Sequence, residues 1–265
     1  MTRLAADLRE LFAEQVQYRD LLVQMTLRDL LIRYKQTVMG FGWAIFMPLV
    51  NTAVFSVIFT RVAPLETPVP YPVFAFCGLW VWNFFSSSLR FSVTSLTSNS
   101  NLVSKVYFPR EILPFSATLV CLVDFAVGSI VLIALMVWYG VPASLHLAWL
   151  PLIVIVQLLF TMAVGLILSM ANLFYRDVKY LFEVTITVWM FGTSVVYPVD
   201  RIGGTLGVVL GLNPMTPIVD AYRSAILLNV APGASFGWVA LASVVVLLAA
   251  WLLFHRQEFA FAENI

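Results

Sequence analysis

The sequence is poor in charge, cysteine, histidine and lysine, and each shortage removes a class of protein. Charged residues make up 11% of the 265 positions, against about a quarter in soluble domains. With 61% hydrophobic residues and a mean hydropathy of +0.93, too few polar side chains remain to cover a water-soluble fold of this length. The two cysteines, Cys77 and Cys121, lie inside apolar runs, where they read as small buried hydrophobes rather than a disulfide framework or a metal site. His146 and His255 sit at the edges of apolar runs without ligand-spaced partners, so neither a metal centre nor a catalytic residue is assigned. Lys35, Lys105 and Lys179 all lack the Gly-Lys-Ser/Thr context of a phosphate-binding loop. No cofactor is therefore expected in this chain, and ATP-driven work would need a second chain to supply the ATP site. The opening MTRLAADLRELFAEQ holds no continuous apolar core, which argues against a cleavable signal peptide.

What the chain has in abundance is apolar runs of membrane-crossing length. The stretch Leu27–Phe59 begins charged, with Arg28, Asp29, Arg33 and Lys35, and turns at Gly40-Phe41-Gly42 into a run with no ionisable residue before Arg61. Such a junction suits a helix that lies on a membrane surface and then enters the bilayer. Residues 1–40 repeat leucines at helical spacing and form an amphipathic interface segment. From there the pattern predicts an all-α polytopic membrane protein with six transmembrane helices, at about 41–60, 73–90, 112–138, 148–172, 181–198 and 236–254. Residues 61–72 hold four prolines and make the first external turn. The polar stretch of about 91–111 lies between the second and third spans. In about 199–235, two short apolar pieces are broken by Gly203-Gly204, Asn213-Pro214 and Pro217. Neither reaches the ~30 Å of hydrocarbon, so they read as a re-entrant helix pair before the last span.

Charge sets the orientation. With the N-terminus in the cytoplasm, twelve of the fifteen Lys and Arg lie inside, and only Arg61, Arg201 and Arg223 lie outside. Both termini are then cytoplasmic. Asp124 and Glu183 are the acids within spans. A carboxylate at the bilayer centre costs about 2.5–3.5 kcal/mol on insertion scales, so Asp124 requires a partner or water. It reads either as a relay or substrate contact, or as a structural hydrogen bond or protonated acid. Glu183 is placed to reach water or Lys179. Aromatics make up 14% of the chain, more than two interfacial belts need. Their faces can stack on sugar rings, and Phe41, Trp43, Phe46, Phe55 and Phe59, with Trp189, Phe191 and Tyr197, are the candidate lining of a glycan path.

The segments Arg28–Thr37, Gly40, Trp43-Ala44 and Pro48-Leu49, then Asn101–Pro114, Phe174–Tyr180, Asn213-Pro214 and Tyr222-Arg223, resemble the permeases of polysaccharide-exporting ABC transporters. The resemblance covers nearly the whole chain in order. It implies a homodimer of this chain in a bacterial inner membrane, with two copies of a separate ABC ATPase subunit that binds ATP and Mg. It places ATPase coupling around Asn99, Asn101, Leu102, Val103, Lys105, Tyr107, Phe108, Arg110 and Glu111. The implied substrate is an undecaprenyl-pyrophosphate-linked polysaccharide, with O-antigen first and wall teichoic acid or capsular polymer as alternatives. Arg28, Arg33 and Lys35 are then placed to receive the pyrophosphate, since clustered cations at an interface attract anionic headgroups. Membrane lipid is a partner and nucleic acid is not. A small-molecule ABC exporter, an ion-coupled secondary carrier using Asp124 and a membrane-embedded glycolipid enzyme are the rival readings.

Overall fold

A computed structural model describes residues 11, 13–35, 40, 42–198 and 204–264. Phe41, one of the expected lining residues, lies outside the described residues. Among those described there is no strand. The helices are α1 (Arg19–Tyr34), α2 (Gly42–Val57, continued by a π-helical turn Ile58–Val62), α3 (Tyr71–Ser98), α4 (Ser100–Lys105), α5 (Ile112–Trp138), α6 (Leu150–Phe174), α7 (Val178–Phe191), α8 (Gly204–Gly211), α9 (Met215–Arg223, continued by a π-helical turn Ser224–Leu228) and α10 (Ala234–Asn264).

Among the described residues, five stretches are long and apolar enough to cross a membrane: Ile45–Val62, Tyr71–Ser98, Ile112–Trp138, Leu145–Phe174 and Ala234–Glu258. The span expected at about 181–198 is different. It is helical only through α7, whose 14 residues cover about 21 Å at 1.5 Å per residue, short of a bilayer core. The chain leaves the helix at Gly192 because its next carbonyls are claimed from outside. Arg223 donates to the Ser194 and Val195 carbonyls, and the Tyr71 hydroxyl donates to Val196 O at 2.9 Å. Irregular backbone persists at this depth because protein donors satisfy it. At 8 and 9 residues, α8 and α9 are likewise too short to span, as expected for a broken segment before the last span.

The core is organised on α3, buried along most of its length. It runs antiparallel to α5: Ser92 Oγ donates to Pro114 O at one end, and Trp80 Nε1 donates to Phe125 O at 2.8 Å further along. Trp80 stacks on Phe125 with ring centroids 3.8 Å apart. That approach requires Gly128, where a Cβ would come within 2.7 Å of the indole. On its other side α3 packs against α6, with Gln157 and Asn172 donating to the Val81 and Val93 carbonyls at 2.9 Å each. In turn α6 packs against α10. In contrast, α2 stands at the periphery. Only 6% of its most apolar window is buried, and its Phe55 and Phe59 hold it to Tyr71 at the start of α3.

The interface segment does not simply lie across the ends of the spans. Leu21, Leu22 and Met25 of α1 pack on the cluster of Leu96, Phe108, Phe115 and Trp251. Further along, Asp29 accepts from Ser116 at 3.4 Å and Arg33 meets Asp124 at 2.7 Å. The partners advance along both helices together, so α1 climbs beside α5 in the same direction. Leu31 and Ile32 are left exposed on its outer side, where lipid suits them.

Candidate substrate cleft and coupling segment

Asp124 lies about three turns, or roughly 18 Å, beyond the start of α5 at Ile112. Its partners come from α1, some ninety residues earlier. Arg33 Nη1 sits 2.7 Å from Asp124 Oδ2, and the Tyr34 hydroxyl donates to Oδ1. The Arg33 guanidinium also lies over the Phe91 ring at 4.5 Å and reaches Cys121 Sγ at 3.7 Å. Burial, followed by the hydrogen bond to Asp124, raises the Tyr34 phenol above its ordinary value, so the hydroxyl keeps its proton and serves as the donor. The acid singled out for a partner therefore has one on each carboxylate oxygen. The interhelical hydrogen bond expected of Asp124 is present.

This cluster forms one wall of a cleft of about 320 Å³ between α1, α2, α3 and α5. Trp43, Met47, Pro48 and Asn51 line it from α2, Trp80, Asn83, Phe84 and Ser87 from α3, and Cys121, Phe125 and Gly128 from α5. Asn51, Asn83 and Ser87 carry side-chain polar groups that take no hydrogen bond from the described residues. The cleft therefore joins apolar and aromatic side chains with three neutral polar ones and one ion pair. That is the usual mixture of a small-ligand pocket, in which few polar groups fix orientation.

The three cations expected to act together are not in equivalent places. Arg28 is turned to Asp29 at 2.7 Å and to Asn99 Oδ1 at 3.1 Å. Arg33 is held by Asp124. Lys35, just past the end of α1, is exposed and meets no carboxylate among the described residues. Glu183 is joined not to Lys179 but to Arg90, by two contacts of 2.8 Å.

The residues expected to couple to an ATPase divide into anchors and tips. Asn99 Nδ2 donates to Ser95 O at 2.8 Å while its Oδ1 accepts from Arg28, which fixes the turn between α3 and α4. Val103 and Phe108 are buried and Leu102 is half-buried in the cluster around Trp251. Arg110 donates from its backbone to Glu258 Oε1 at 3.1 Å and from its guanidinium to the Glu258 and Val103 carbonyls. Glu111 is fully buried, its Oε1 accepting from Trp251 Nε1 at 3.0 Å and Gln15 Nε2 at 3.2 Å. Asn101, Lys105 and Tyr107 remain exposed, Tyr107 at 78%. A loop pinned to α10 at Arg110 and Glu111 thus presents a short surface tip.

The aromatic residues expected along one path are distributed over separate places. Trp43 and Phe46 are exposed on α2 with rings edge to face at 5.8 Å. Phe55 and Phe59 pack instead on the cluster of Tyr71, Phe74 and Ala75. Trp189 is held in the core, edge-on to Phe85 at 5.1 Å, with its Nε1 donating to Asn213 Oδ1 at 2.9 Å. Phe191 is exposed, and its carbonyl accepts from the Tyr197 hydroxyl. Hydropathy placed none of the polar cleft residues. The signal for Asn83 and Ser87 lay in two polar residues four apart, and so on one helix face, within the second apolar run. Arg223, counted among the external cations, is buried inside the protein.

These features define a polytopic helical membrane protein with a polar cleft between its helices and a rigidly anchored loop at one end. The chain belongs to the ABC-2 type transporter family, whose model matches residues 20–227. It is 32% identical over 258 residues to the O-antigen export system permease protein RfbA of Myxococcus xanthus, covering 96% of this chain and 99% of that one. It is 29% identical over 245 residues to the protein of the same name from Klebsiella pneumoniae, covering 92% and 94% of the two chains. The polysialic acid transport protein KpsM of Escherichia coli is more distant, at 24% over 240 residues, with 88% and 91% covered.

Proposed function

We propose that this chain is the membrane subunit of an ATP-driven exporter that moves an undecaprenyl-pyrophosphate-linked polysaccharide, O-antigen first, across a bacterial inner membrane. The observation that carries this reading is similarity along 99% of the length of an O-antigen export permease, in a chain without a nucleotide-binding loop of its own. In this reading the working unit is a homodimer with two ATPase subunits, both termini are cytoplasmic, and the tip around Lys105 and Tyr107 meets the ATPase. The exposed sides of α2 face the second copy and the polymer. Of Arg28, Arg33 and Lys35, the exposed Lys35 is the cation that meets the carrier's pyrophosphate, since Arg28 and Arg33 are paired with Asp29 and Asp124. A capsular polymer is the second reading, favoured by the likeness to KpsM. The test is deletion of the gene in its own bacterium. Surface polymer is lost and carrier-linked polymer accumulates inside, both restored by the intact gene. Unchanged surface polymer, with no internal accumulation, overturns the proposal.

A further inference from the structure

We propose that the cleft between α1, α2, α3 and α5 is a subsite for one uncharged sugar ring, the ring nearest the lipid carrier. This rests on the proposed export of a carrier-linked glycan and adds to it which residues read the sugar. Three observations converge on it.

The first is the unused polar capacity. Asn51, Asn83 and Ser87 lie on helices that cross the membrane, face one cleft, and take no hydrogen bond from the described residues. Asn51 is exposed and Asn83 and Ser87 are half-buried, so within a membrane these groups need water or a ligand in the cleft, because hydrocarbon offers no partner. Two amides and a hydroxyl together offer donors and acceptors in the mixture that ring hydroxyls require.

The second is the charge balance. Arg33 and Asp124 face each other at 2.7 Å, so the ionic wall of the cleft has no net charge. A phosphate brought to this wall would gain Arg33 only by displacing Asp124 and leaving a carboxylate uncompensated. A neutral polyol instead can accept from the guanidinium edge and donate to the carboxylate with the pair intact. The exposed Lys35 lies just past Tyr34, at the same end of α1, and is left for the adjoining phosphate. The pair and the lysine thus divide sugar from phosphate.

The third is shape. The cleft holds about 320 Å³, at the low end of the ~300–1,000 Å³ typical of ligand pockets, which suits one residue of a polymer. Its rim is the indole of Trp43, 43% exposed, an apolar face for the C–H side of a ring. Trp80 cannot serve in this way, because its face is already covered by Phe125.

The experiment uses the full-length chain in detergent and native mass spectrometry with three probes: undecaprenyl pyrophosphate, the same lipid carrying one N-acetylglucosamine, and decyl glucoside. Wild type is expected to bind the glycosylated lipid about tenfold tighter than the bare one, the worth of two or so hydrogen bonds. The double variant N51L/N83L, whose apolar replacements suit a membrane helix, loses that tenfold preference and its glucoside binding. It retains wild-type affinity for the bare lipid, which also reports an intact fold. Lys35→Gln weakens both lipids equally and leaves the glucoside unchanged. The inference is overturned if N51L/N83L keeps the preference, or if it loses both lipids together. If wild type binds the glucoside through Asn51 and Asn83 but neither lipid, the sugar subsite stands and the proposed carrier is wrong.

Discussion

Two arginines, Arg223 and Arg33, are each drawn into apolar surroundings, and they are held in opposite ways. Arg223 is 4% exposed and is answered mainly by backbone: its guanidinium donates to the carbonyls of Ser194, Val195 and Phe74 and stacks on the Phe74 ring at 3.6 Å. Asp220 lies 3.7 Å away and is itself half-exposed. The surroundings leave no slack, since a Cβ on Gly78 would fall 2.1 Å from Val195 O and 2.4 Å from the guanidinium. Arg33 is answered by side chains and lines an open cleft with spare amides. Carbonyls that belong to the fold cannot be exchanged for a ligand, whereas side-chain partners can shift. The Arg223 site therefore reads as a rivet for non-helical backbone, and the Arg33 site as a surface on which something else can bind.

The rivet predicts the largest effect. Arg223→Leu strips donors from two to three buried carbonyls at once, and charge-assisted bonds are worth about 1.5–3 kcal/mol each. We expect a loss of about 4–5 kcal/mol, read as a collapsed yield and a lower unfolding midpoint in micelles. Arg223→Lys recovers only a small part, since one ammonium cannot reproduce the planar fork. An Arg223→Leu protein with a wild-type midpoint would remove the rivet and, with it, the contrast between the two sites.

Much of this architecture was legible in the chain, and the exceptions share a cause. The third and fourth spans fall within two residues of α5 and α6, and the last lies inside the longer α10, because continuous apolar runs of about 25 residues have few alternatives in a bilayer. The leader was legible as a helix but not in its path beside α5, which depends on Asp29, Arg33 and Tyr34 finding Ser116 and Asp124. The need of Asp124 for a partner followed from its position; which partner did not, since it lies on another element. The span of about 181–198 was misjudged in extent for the same reason. Hydropathy registers Val195 and Val196 as helix-compatible but not that Arg223 and Tyr71 capture the carbonyls there. The segment expected to couple was legible as one polar block, while its division into buried anchors and an exposed tip waited on Trp251 and Glu258 of the last helix.

The second prediction tests whether Arg33 is exchangeable. Asp124→Leu leaves a partly buried guanidinium without its carboxylate and costs about 2–3 kcal/mol, a buried-pair penalty reduced by the residual exposure of both groups. The double variant R33M/D124L removes both charges and is expected to recover most of that loss, because apolar replacement of such a pair is close to neutral. Its surface polymer in the deletion strain remains low, since the cleft wall that faces the sugar is gone. Full recovery of polymer along with stability would make the pair purely structural and erase the difference from Arg223.

The smallest effect belongs to a third arginine, which bounds the comparison from the exposed side. Arg90 holds Glu183 through two contacts of 2.8 Å, with both side chains 49% exposed. Bidentate geometry favours the pair, but solvent or headgroup screening and the entropy of two long side chains take most of it back, leaving about 0.5–1 kcal/mol. Glu183→Gln should therefore lower the midpoint by only about 1–4 °C for a chain of this size. That small drop should shrink further as salt is raised from about 0.05 to 0.5 M. A salt-independent loss of about 3 kcal/mol would show that the α3–α7 contact is shielded as Arg33 is. The boundary between exposed and buried charge would then lie closer to this end of α3 than its half-exposed side chains indicate.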